Sequence, residues 1–380
     1  MNFAPTESQL LIRDMARDFA QKRIAPGAAL RDHTGTFPVE LLREMAGLGL
    51  MGVNVPESHG GTQAGTVAYA LALHEVAKAD ASVAVTMSVT NMVAEILMRF
   101  GTEAQKNAHV PSLCSGEYPG GAFALTEPNS GSDAASLSTR AERTASGWRL
   151  NGEKVFVTTG AFAGVVIVYA RTGEQPGARG LSAFVVPQGT PGFTVGREEE
   201  KMGQRASNTV TMALEDVELP EDALLGELGK GFTIAMTALD GGRIGVSCVA
   251  SGVGFAAMDA AAAYAQQRVQ FGKPISELQA IQWMLANMKT ELDASMLLAL
   301  QAAALKDAGK KFTREASMAK LFASTAANKA CLDAVQIMGG YGYAREFPVE
   351  RYLRDVRVTT LYEGTSEVQK MVIAREVIGR

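Results

Sequence analysis

The apolar period of this chain changes twice, and that order of textures limits the fold more than any single motif. Up to about residue 118 the pattern is helical. "TESQLLIRDMARDFAQKRIAP", residues 6–26, offers a capping box at Thr6 and Gln9, then Leu11, Met15 and Phe19 four apart before Pro26. Helical patterns recur at "PVELLREMAGLGL", "TVAYALALHEVAKAD" and "TMSVTNMVAEILMRFG". From about residue 119 short β-like runs take over. "GWRLNGEKVFVTTG" sets Asn151-Gly152 between two alternating runs, which predicts a hairpin. "GVVIVYART", "GLSAFVVPQ", "GFTVGRE" and "NTVTMALEDVELP" follow, bounded by Gly, Pro or polar turn residues. After Pro220 alanine-rich helical stretches return over about 229–266, 276–307, 313–338 and 366–378. Ser276 and Gln279 form a second possible capping box, and Gly309 a stop.

Helices, then strands, then helices predict an α+β multidomain chain. Its parts are an N-terminal helical domain over 1–118, a small middle β-barrel or sandwich over 119–225, and a C-terminal four-helix bundle over 226–380. A net charge of −4 argues against the basic face of a nucleic-acid binder. Cys114, Cys248 and Cys331 are too scattered for a zinc cluster and fit a reducing compartment. "MNFAPTESQLL" has neither a basic n-region nor an apolar h-region. The uncharged interval Val155–Ala170 falls short of the roughly 18 residues of a membrane span and reads as buried strand. The expectation is a soluble, cytoplasmic protein with neither a nucleic-acid nor a membrane partner.

Several motifs are missing. There is no G-x-x-x-x-G-K-[ST] loop and no G-x-S-x-G elbow. His33, His59, His74 and His109 show no i, i+4 pair, and "HEVAK" lacks a zincin's second histidine, so no metal site is expected. "GVGFAA", residues 252–257, matches a dinucleotide fingerprint but runs into helix-like sequence. Small residues for close helix packing are the better reading.

Other segments carry two readings each. "FALTEPNSGSDAASLSTRA", residues 123–141, holds Thr126, Ser130, Gly131 and Ser132, and is either a ligand loop or a polar turn. In "VFVTTG" Thr158 is either a hairpin residue or a hydroxyl facing a ring beside Phe156. "RVQFGKP", residues 268–274, reads as a helix C-terminus with Arg268 on its dipole. "QIMGGYGYAREFPVE" reads as a helix ended by Gly339 and Gly340, or as exposed backbone for phosphate or adenine. "RYLRDVR" reads as a solvated charged face. In "LYEGTSEVQK" Glu363 is either an acidic turn residue or a base, with Ser366 and Gln369 as a helix cap.

"TEPNSGSD", "FVTTG", "RVQFGKPI", "QIMGGYGY" and "YEGTSEVQ", in this order and spacing, resemble the acyl-CoA dehydrogenase family over essentially the whole chain. The resemblance implies FAD between the β domain and the C-terminal bundle. Phe123, Leu125, Thr126 and Ser132 would line the flavin and thioester side of the first loop. Thr158 would bond near flavin N5, with Val157 beside it and Phe156 against the ring. Arg268, Phe271 and Gln279 would meet the FAD of a neighbouring subunit, as would Gln336, Gly339 and Gly340. Thr365 and Glu367 would complete the cofactor site. Asp240, Gly241, Gly242 and Arg243 would line the substrate, with Gly364 and the Ser132 backbone. Such cross-subunit contacts make a homodimer the minimum, and the family favours a tetramer.

Under that resemblance Glu363 is the base. Desaturating an acyl thioester at Cα–Cβ needs a carboxylate for the α-proton and flavin N5 for the β-hydride. An apolar wall would raise its pKa, while the helix starting near Ser366 would oppose the rise. Some family branches carry the base beside the arginine matching Arg243. Here that position is Gly242, so Glu363 stands alone. Many members have tryptophan where this chain has Phe156. The expected activity is α,β-desaturation of a short-, branched-chain or alicyclic acyl-CoA, with electrons passed to an electron-transfer flavoprotein. The alternatives are an acyl-CoA oxidase using O₂ and a non-catalytic acyl-CoA-binding module.

Overall fold

Thr6 caps the first helix as its sequence predicts: its hydroxyl accepts from Gln9 N while its own N–H donates to the Gln9 side chain. The structure, a computed structural model, describes residues 5–379. Six helices make the first unit: α1 (Glu7–Phe19), α2 (Ala28–Thr34), α3 (Val39–Gly47), α4 (Thr66–Ala79), α5 (Ala81–Phe100) and α6 (Glu103–Ser115). The last has no clear apolar stripe and contains Pro111, which hid it from periodicity. A capping box at Thr102 and Gln105 starts it.

Eight strands follow: β1 (Gly120–Ala124), β2 (Arg140–Arg143), β3 (Gly147–Thr158), β4 (Ala163–Arg171), β5 (Leu181–Pro187), β6 (Phe193–Glu198), β7 (Thr209–Pro220) and β8 (Leu224–Leu225). They run β6-β7-β3-β2-β4-β5-β8, with β1 parallel to β4. β4 is covered on both faces. Val166 and Val168 pack with Trp148, Phe184 and Met212 inside the sheet unit, whereas Ile167 and Tyr169 pack toward α5, α6 and the C-terminal helices. Double burial explains the uncharged stretch 163–170, the second half of the run 155–170.

The predicted Asn151-Gly152 hairpin does not form. Both residues lie inside β3, where the register with β7 slips between Leu150 and Gly152. The Asn151 amide donates to Asp216 Oδ1 at 3.0 Å, and its oxygen accepts from Asp216 N at 2.8 Å. The pair therefore makes a bulge, with Gly152 at φ +154° and Asp216 at φ +50°. The chain reverses at Thr144–Gly147 instead.

The C-terminal unit is α7 (Gly231–Gln267), α8 (Gln279–Asp307), α9 (Thr313–Met338), α10 (Val349–Arg357) and α11 (Ser366–Ile378). α4 packs with α7, α8 and α9 around one shared core. α5 and α7 are long and apolar enough to cross a membrane, but 89% and 78% of their most apolar windows are buried within the protein. "GVGFAA" is a packing surface as expected: a Cβ at Gly252 would lie 2.6 Å from the His74 carbonyl oxygen, and one at Gly254 2.5 Å from Leu292 Cδ2.

Three local expectations change. The Ser276–Gln279 box is absent, because Ile275–Glu277 forms a tight turn and Leu278 precedes the helix. α7 ends at Gln267, but "RVQFGKP" goes on into a two-stranded hairpin, β9 (Val269–Gln270) and β10 (Lys273–Pro274). It turns on Phe271 and Gly272, both at positive φ. "RYLRDVR" is not merely a solvated face. Arg354 pairs with Asp32 and Glu350, and Asp355 is buried, accepting from Gln204 N.

Candidate active site

Glu363 sits at the tightest point of the chain's entry into α11. Glu363 (φ +55°) and Gly364 (φ +86°) are two successive left-handed residues. For a glutamate that geometry is strained by about 1–3 kcal/mol and needs outside support. The buried Gln369 supplies part of it, donating to the Glu363 carbonyl at 3.1 Å and the Gly364 carbonyl at 2.9 Å. Lys320 of α9 donates to the same Gly364 carbonyl at 2.7 Å. The cap of α11 is Thr365, whose hydroxyl accepts from Val368 N, and not the expected Ser366–Gln369 pair. Gln369 points back to the turn instead.

The Glu363 side chain lies over α7 where that helix has no side chain. A Cβ on Gly242 would overlap Oε2 and stand 2.9 Å from Cδ. Glu363 is partly covered as a residue, yet its Oε2 is sealed and has no hydrogen-bond partner. Burial pushes the carboxyl up to about 7, and the charges of Arg243 and Lys320 restrain the rise. An ionisable oxygen with no internal partner and a pKa near neutrality suits proton transfer.

Arg243 is itself nearly fully buried. It donates to Asp240 Oδ1 at 2.7 Å and Ser317 Oγ at 3.3 Å, while its Nε has no partner. Asp240 also accepts from Thr313 and is raised by burial. Gly241 and Gly242 form one wall of a narrow cavity of about 50 Å³ between α5 and α7. Ser88, Met92 and Tyr69 line it, with Tyr69 donating to Ser88 Oγ at 3.0 Å. The Glu95–Lys306 ion pair borders it further along. Gly242 is therefore both cavity wall and seat of the Glu363 carboxylate.

The first loop and β3 form a second group. Phe123 packs on Tyr169, with ring centroids 5.0 Å apart. Leu125 is buried and its carbonyl accepts from Lys154 Nζ at 3.2 Å, while the Thr126 carbonyl accepts from Val155 N at 2.9 Å. Ser132 is exposed. A second register slip, between Lys154 and Val157, throws Phe156 outward at φ +56° and 65% exposure. Val157 is buried in the sheet core. Thr158 is partly exposed at the end of the strand.

Arg268, Phe271, Gln279, Gln336, Gly339 and Gly340 gather elsewhere. The Arg268 guanidinium lies 5.7 Å from the Tyr341 ring centroid, joining the hairpin to the turn after α9. Phe271 is 91% exposed at the hairpin tip. Gln336 lies sixteen residues beyond Lys320 on α9, about 24 Å at roughly 1.5 Å per residue. The expected cofactor residues thus fall into two separate clusters within one chain. Thr365 and Glu367 stay with Glu363 at the start of α11.

Three important side chains escaped the sequence reading. Lys154 and Glu127 form a buried ion pair at 2.7 Å. Glu127 also accepts from Ser138 N, Ser138 Oγ and Thr139 N, so the pair binds loop 125–139 to β3. Lys154, together with these donors, holds the Glu127 carboxyl well below its usual range despite burial. Lys320, the third, had a signal: it falls on the Ala316, Ala323, Ala327 stripe at helical spacing, where a surface lysine would not.

Family models for acyl-CoA dehydrogenase match residues 6–117 (N-terminal domain), 122–217 (middle domain) and 229–378 (C-terminal domain). An acyl-CoA dehydrogenase of Bacillus subtilis (strain 168) is 48% identical over 375 residues, spanning 98% of this chain and 99% of the relative. The butyryl-CoA dehydrogenase structure from Megasphaera elsdenii superposes with a TM-score of 0.97 at 44% identity, covering 100% of both chains. A chain from a study of the electron transferring flavoprotein of Acidaminococcus fermentans and flavin-based electron bifurcation superposes at 0.98, with 41% identity and 100% of both chains covered. Matched through all three domains and by relatives along their full length, the chain belongs to the acyl-CoA dehydrogenase family.

Proposed function

We propose that this flavin-dependent family member desaturates a short-chain acyl-CoA at Cα–Cβ, with Glu363 as the base. The observation that carries the reading is the sealed, unpartnered Oε2 of Glu363 beside a cavity of about 50 Å³. The Tyr69–Ser88 hydroxyls and the Glu95–Lys306 pair around that space suit an extended alkyl tail poorly, which favours a short acyl group over a long one. Methyl-branched and alicyclic groups of similar size remain within the same reading.

The residues present fit FAD. Phe156 offers an exposed aromatic wall, and the Thr126 and Thr158 hydroxyls bond no other described residue. A Cβ at Gly131 would meet nothing within 4 Å, which leaves the first loop open to close approach. Phe123, Leu125, Thr126, Ser132, Phe156 and Thr158 would hold the flavin side, with Val157 contributing backbone and Thr365 and Glu367 completing the site. Bound FAD supplies the acceptor for the β-hydride.

Glu363 takes the α-proton on its carboxylate. Its raised pKa makes it a stronger base than a carboxylate in water, and the burial of Oε2 keeps competing water off that side of the group. Negative charge then develops on the thioester oxygen, which the backbone N–H of Glu363 and a ribityl hydroxyl of bound FAD would meet, with Gly364 letting the backbone come that close. Gly241 and Gly242 would line the acyl chain, with Asp240 and Arg243 behind them and the Ser132 backbone as a further contact.

Gln336 lies about 24 Å along α9 from Lys320, with Gly339 and Gly340 just past the end of that helix; Arg268 stacks on Tyr341 beside them, and Phe271 and Gln279 follow on the hairpin and at the start of α8. Their separation supports service to the FAD of a second copy, making a homodimer the minimum and a tetramer the family's usual form. Electron-transfer flavoprotein is the proposed acceptor.

Anaerobic addition of butyryl-CoA to the purified holoprotein tests the reading, followed at the flavin band near ~450 nm. Bleaching is expected with short acyl-CoAs and weakly or not at all with long ones. No bleaching by any thioester would sink it, and fast oxygen uptake with substrate would redirect it toward an oxidase.

A further inference from the structure

α9 buries a cation that the reaction as derived does not use. Lys320 is fully buried on the face of α9 that carries Ala316, Ala323 and Ala327, and its Nζ reaches the Gly364 carbonyl at 2.7 Å. That acceptor is neutral. Among the described residues no carboxylate lies within ion-pair distance of Lys320. A buried ammonium is costly unless its charge is compensated. The nearest compensation is the next residue back along the turn, Glu363, whose own Oε2 has no partner.

We propose that Lys320 is a positioning residue for the base: it pins the left-handed Glu363–Gly364 turn through the Gly364 carbonyl, and its charge keeps the Glu363 carboxylate ionised. The proposal rests on the reading of Glu363 as base.

The groups facing Glu363 come from several elements. Arg243 of α7 and Lys320 of α9 are the cations, and Tyr69 of α4, Tyr169 of β4 and the adjacent Tyr362 are phenols that burial holds protonated. Glu367 acts on Lys320 from the first turn of α11. Arg243 is already engaged by Asp240 and Ser317, so part of its charge is spent within its own helix pair. Lys320 makes no such hydrogen-bonded ion pair among the described residues, and Glu367 acts on it by charge alone. Burial pushes Lys320 down to about 8, and the Glu363 charge pulls it back up. Reciprocally, burial raises Glu363 to about 7 while Arg243 and Lys320 draw it down.

The test uses the FAD-loaded enzyme with Lys320→Met, Lys320→Gln and Lys320→Arg. Two quantities are followed against pH: the second-order rate of anaerobic flavin reduction by butyryl-CoA, and the infrared band of a protonated carboxyl, assigned by its loss in Glu363→Gln. Opposite charges beside a buried carboxyl lower it by about 1–3 units, and Arg243 and Lys320 share that effect on Glu363. Lys320→Met should therefore move both midpoints up by about one pH unit, and Lys320→Gln, which keeps a donor for the Gly364 carbonyl, should do the same. Lys320→Arg should keep the band near its wild-type midpoint, although the larger head fits the turn less well. Unshifted midpoints in whichever neutral variant folds would overturn the proposal and leave Lys320 a structural residue. A wild-type protein whose titrating band survives in Glu363→Gln, or a Glu363→Gln protein that reduces flavin normally, refutes the base reading itself. That failure is recognisable without any Lys320 variant.

Discussion

The carboxylate of Glu363 occupies the space that a side chain on Gly242 would fill, with Cδ 2.9 Å from where a Cβ would stand. One position on α7 therefore decides whether the base can be where it is. In Gly242→Ala the clash falls on the far end of a flexible side chain, so the fold should survive. Alanine also favours the helix by up to about 1 kcal/mol. The carboxylate must move by an ångström or so, and misplacement on that scale costs about 10²-fold in rate. Expected are an unchanged or slightly raised melting temperature and flavin reduction by butyryl-CoA slowed about 100-fold. Wild-type rates in this variant would mean the carboxylate's seat does not matter.

Glu363→Gln should bind substrate but reduce flavin about 10²–10⁴-fold more slowly, the usual worth of a positioned base. The pH sign follows from the raised pKa. Between its unfolded value of 4.5 and about 7, Glu363 holds a proton in the native state that the unfolded chain has released. Its contribution is therefore most favourable below pH 4.5 and is lost as pH rises through about 7. Glutamine removes that loss. Urea titrations of the variant should show a gain over wild type of about 1–2 kcal/mol at pH 8 that shrinks toward pH 5. A difference independent of pH would show that Glu363 ionises freely. For wild-type catalysis the same titration predicts a rate of flavin reduction that falls as pH drops through about 7.

Much of this layout is legible from residues alone, and the exceptions share a cause. The long helices α7 and α9 and the capping box at Thr6 depend on local spacing, and they form where spacing puts them. Asn151-Gly152 carries a strong local hairpin signal, yet Asp216, sixty-five residues on, captures the Asn151 side chain and turns the pair into a bulge. Ser276 and Gln279 fail as a box because Ile275 N donates to the Arg268 carbonyl and draws the segment into the hairpin. Gly242 could be recognised from sequence as an empty rival position, but not as the floor under Glu363. The Glu127–Lys154 and Lys320–Gly364 contacts join residues 27 and 44 positions apart, beyond any local pattern.

The Glu127–Lys154 pair ties the first loop to β3, so its loss should be felt in cofactor retention as well as stability. Lys154→Met leaves a buried carboxylate without its cation, which costs about 3–5 kcal/mol in comparable cases. The Leu125 carbonyl loses a donor in the same step. Expected are a melting temperature lower by several degrees and less FAD per chain after gel filtration. The double variant Glu127→Gln/Lys154→Met should recover part of the stability, since no charge is left buried. Equal losses in the single and double variants would mean that the pair is not the tie.

Phe271 predicts the opposite separation. At 91% exposure on the tip of the β9–β10 hairpin, its ring contributes almost nothing to the fold of its own chain. Phe271→Ala should leave the unfolding free energy of the flavin-free protein within about 0.5 kcal/mol of wild type. If the ring instead covers the cofactor of a second copy, the variant should release FAD faster on dilution and dissociate at higher concentration in sedimentation. Arg268→Ala, which removes the guanidinium stacked over Tyr341, should behave alike. Mixing Phe271→Ala with Glu363→Gln supplies a discriminating measurement. Phe271→Ala paired with a Glu363→Gln partner should show, in the half-sites that still carry Glu363, the flavin affinity set by the partner's intact hairpin. Flavin affinity that followed the hairpin of the same chain would place the aromatic tip beside its own active site and remove the case for cross-subunit service.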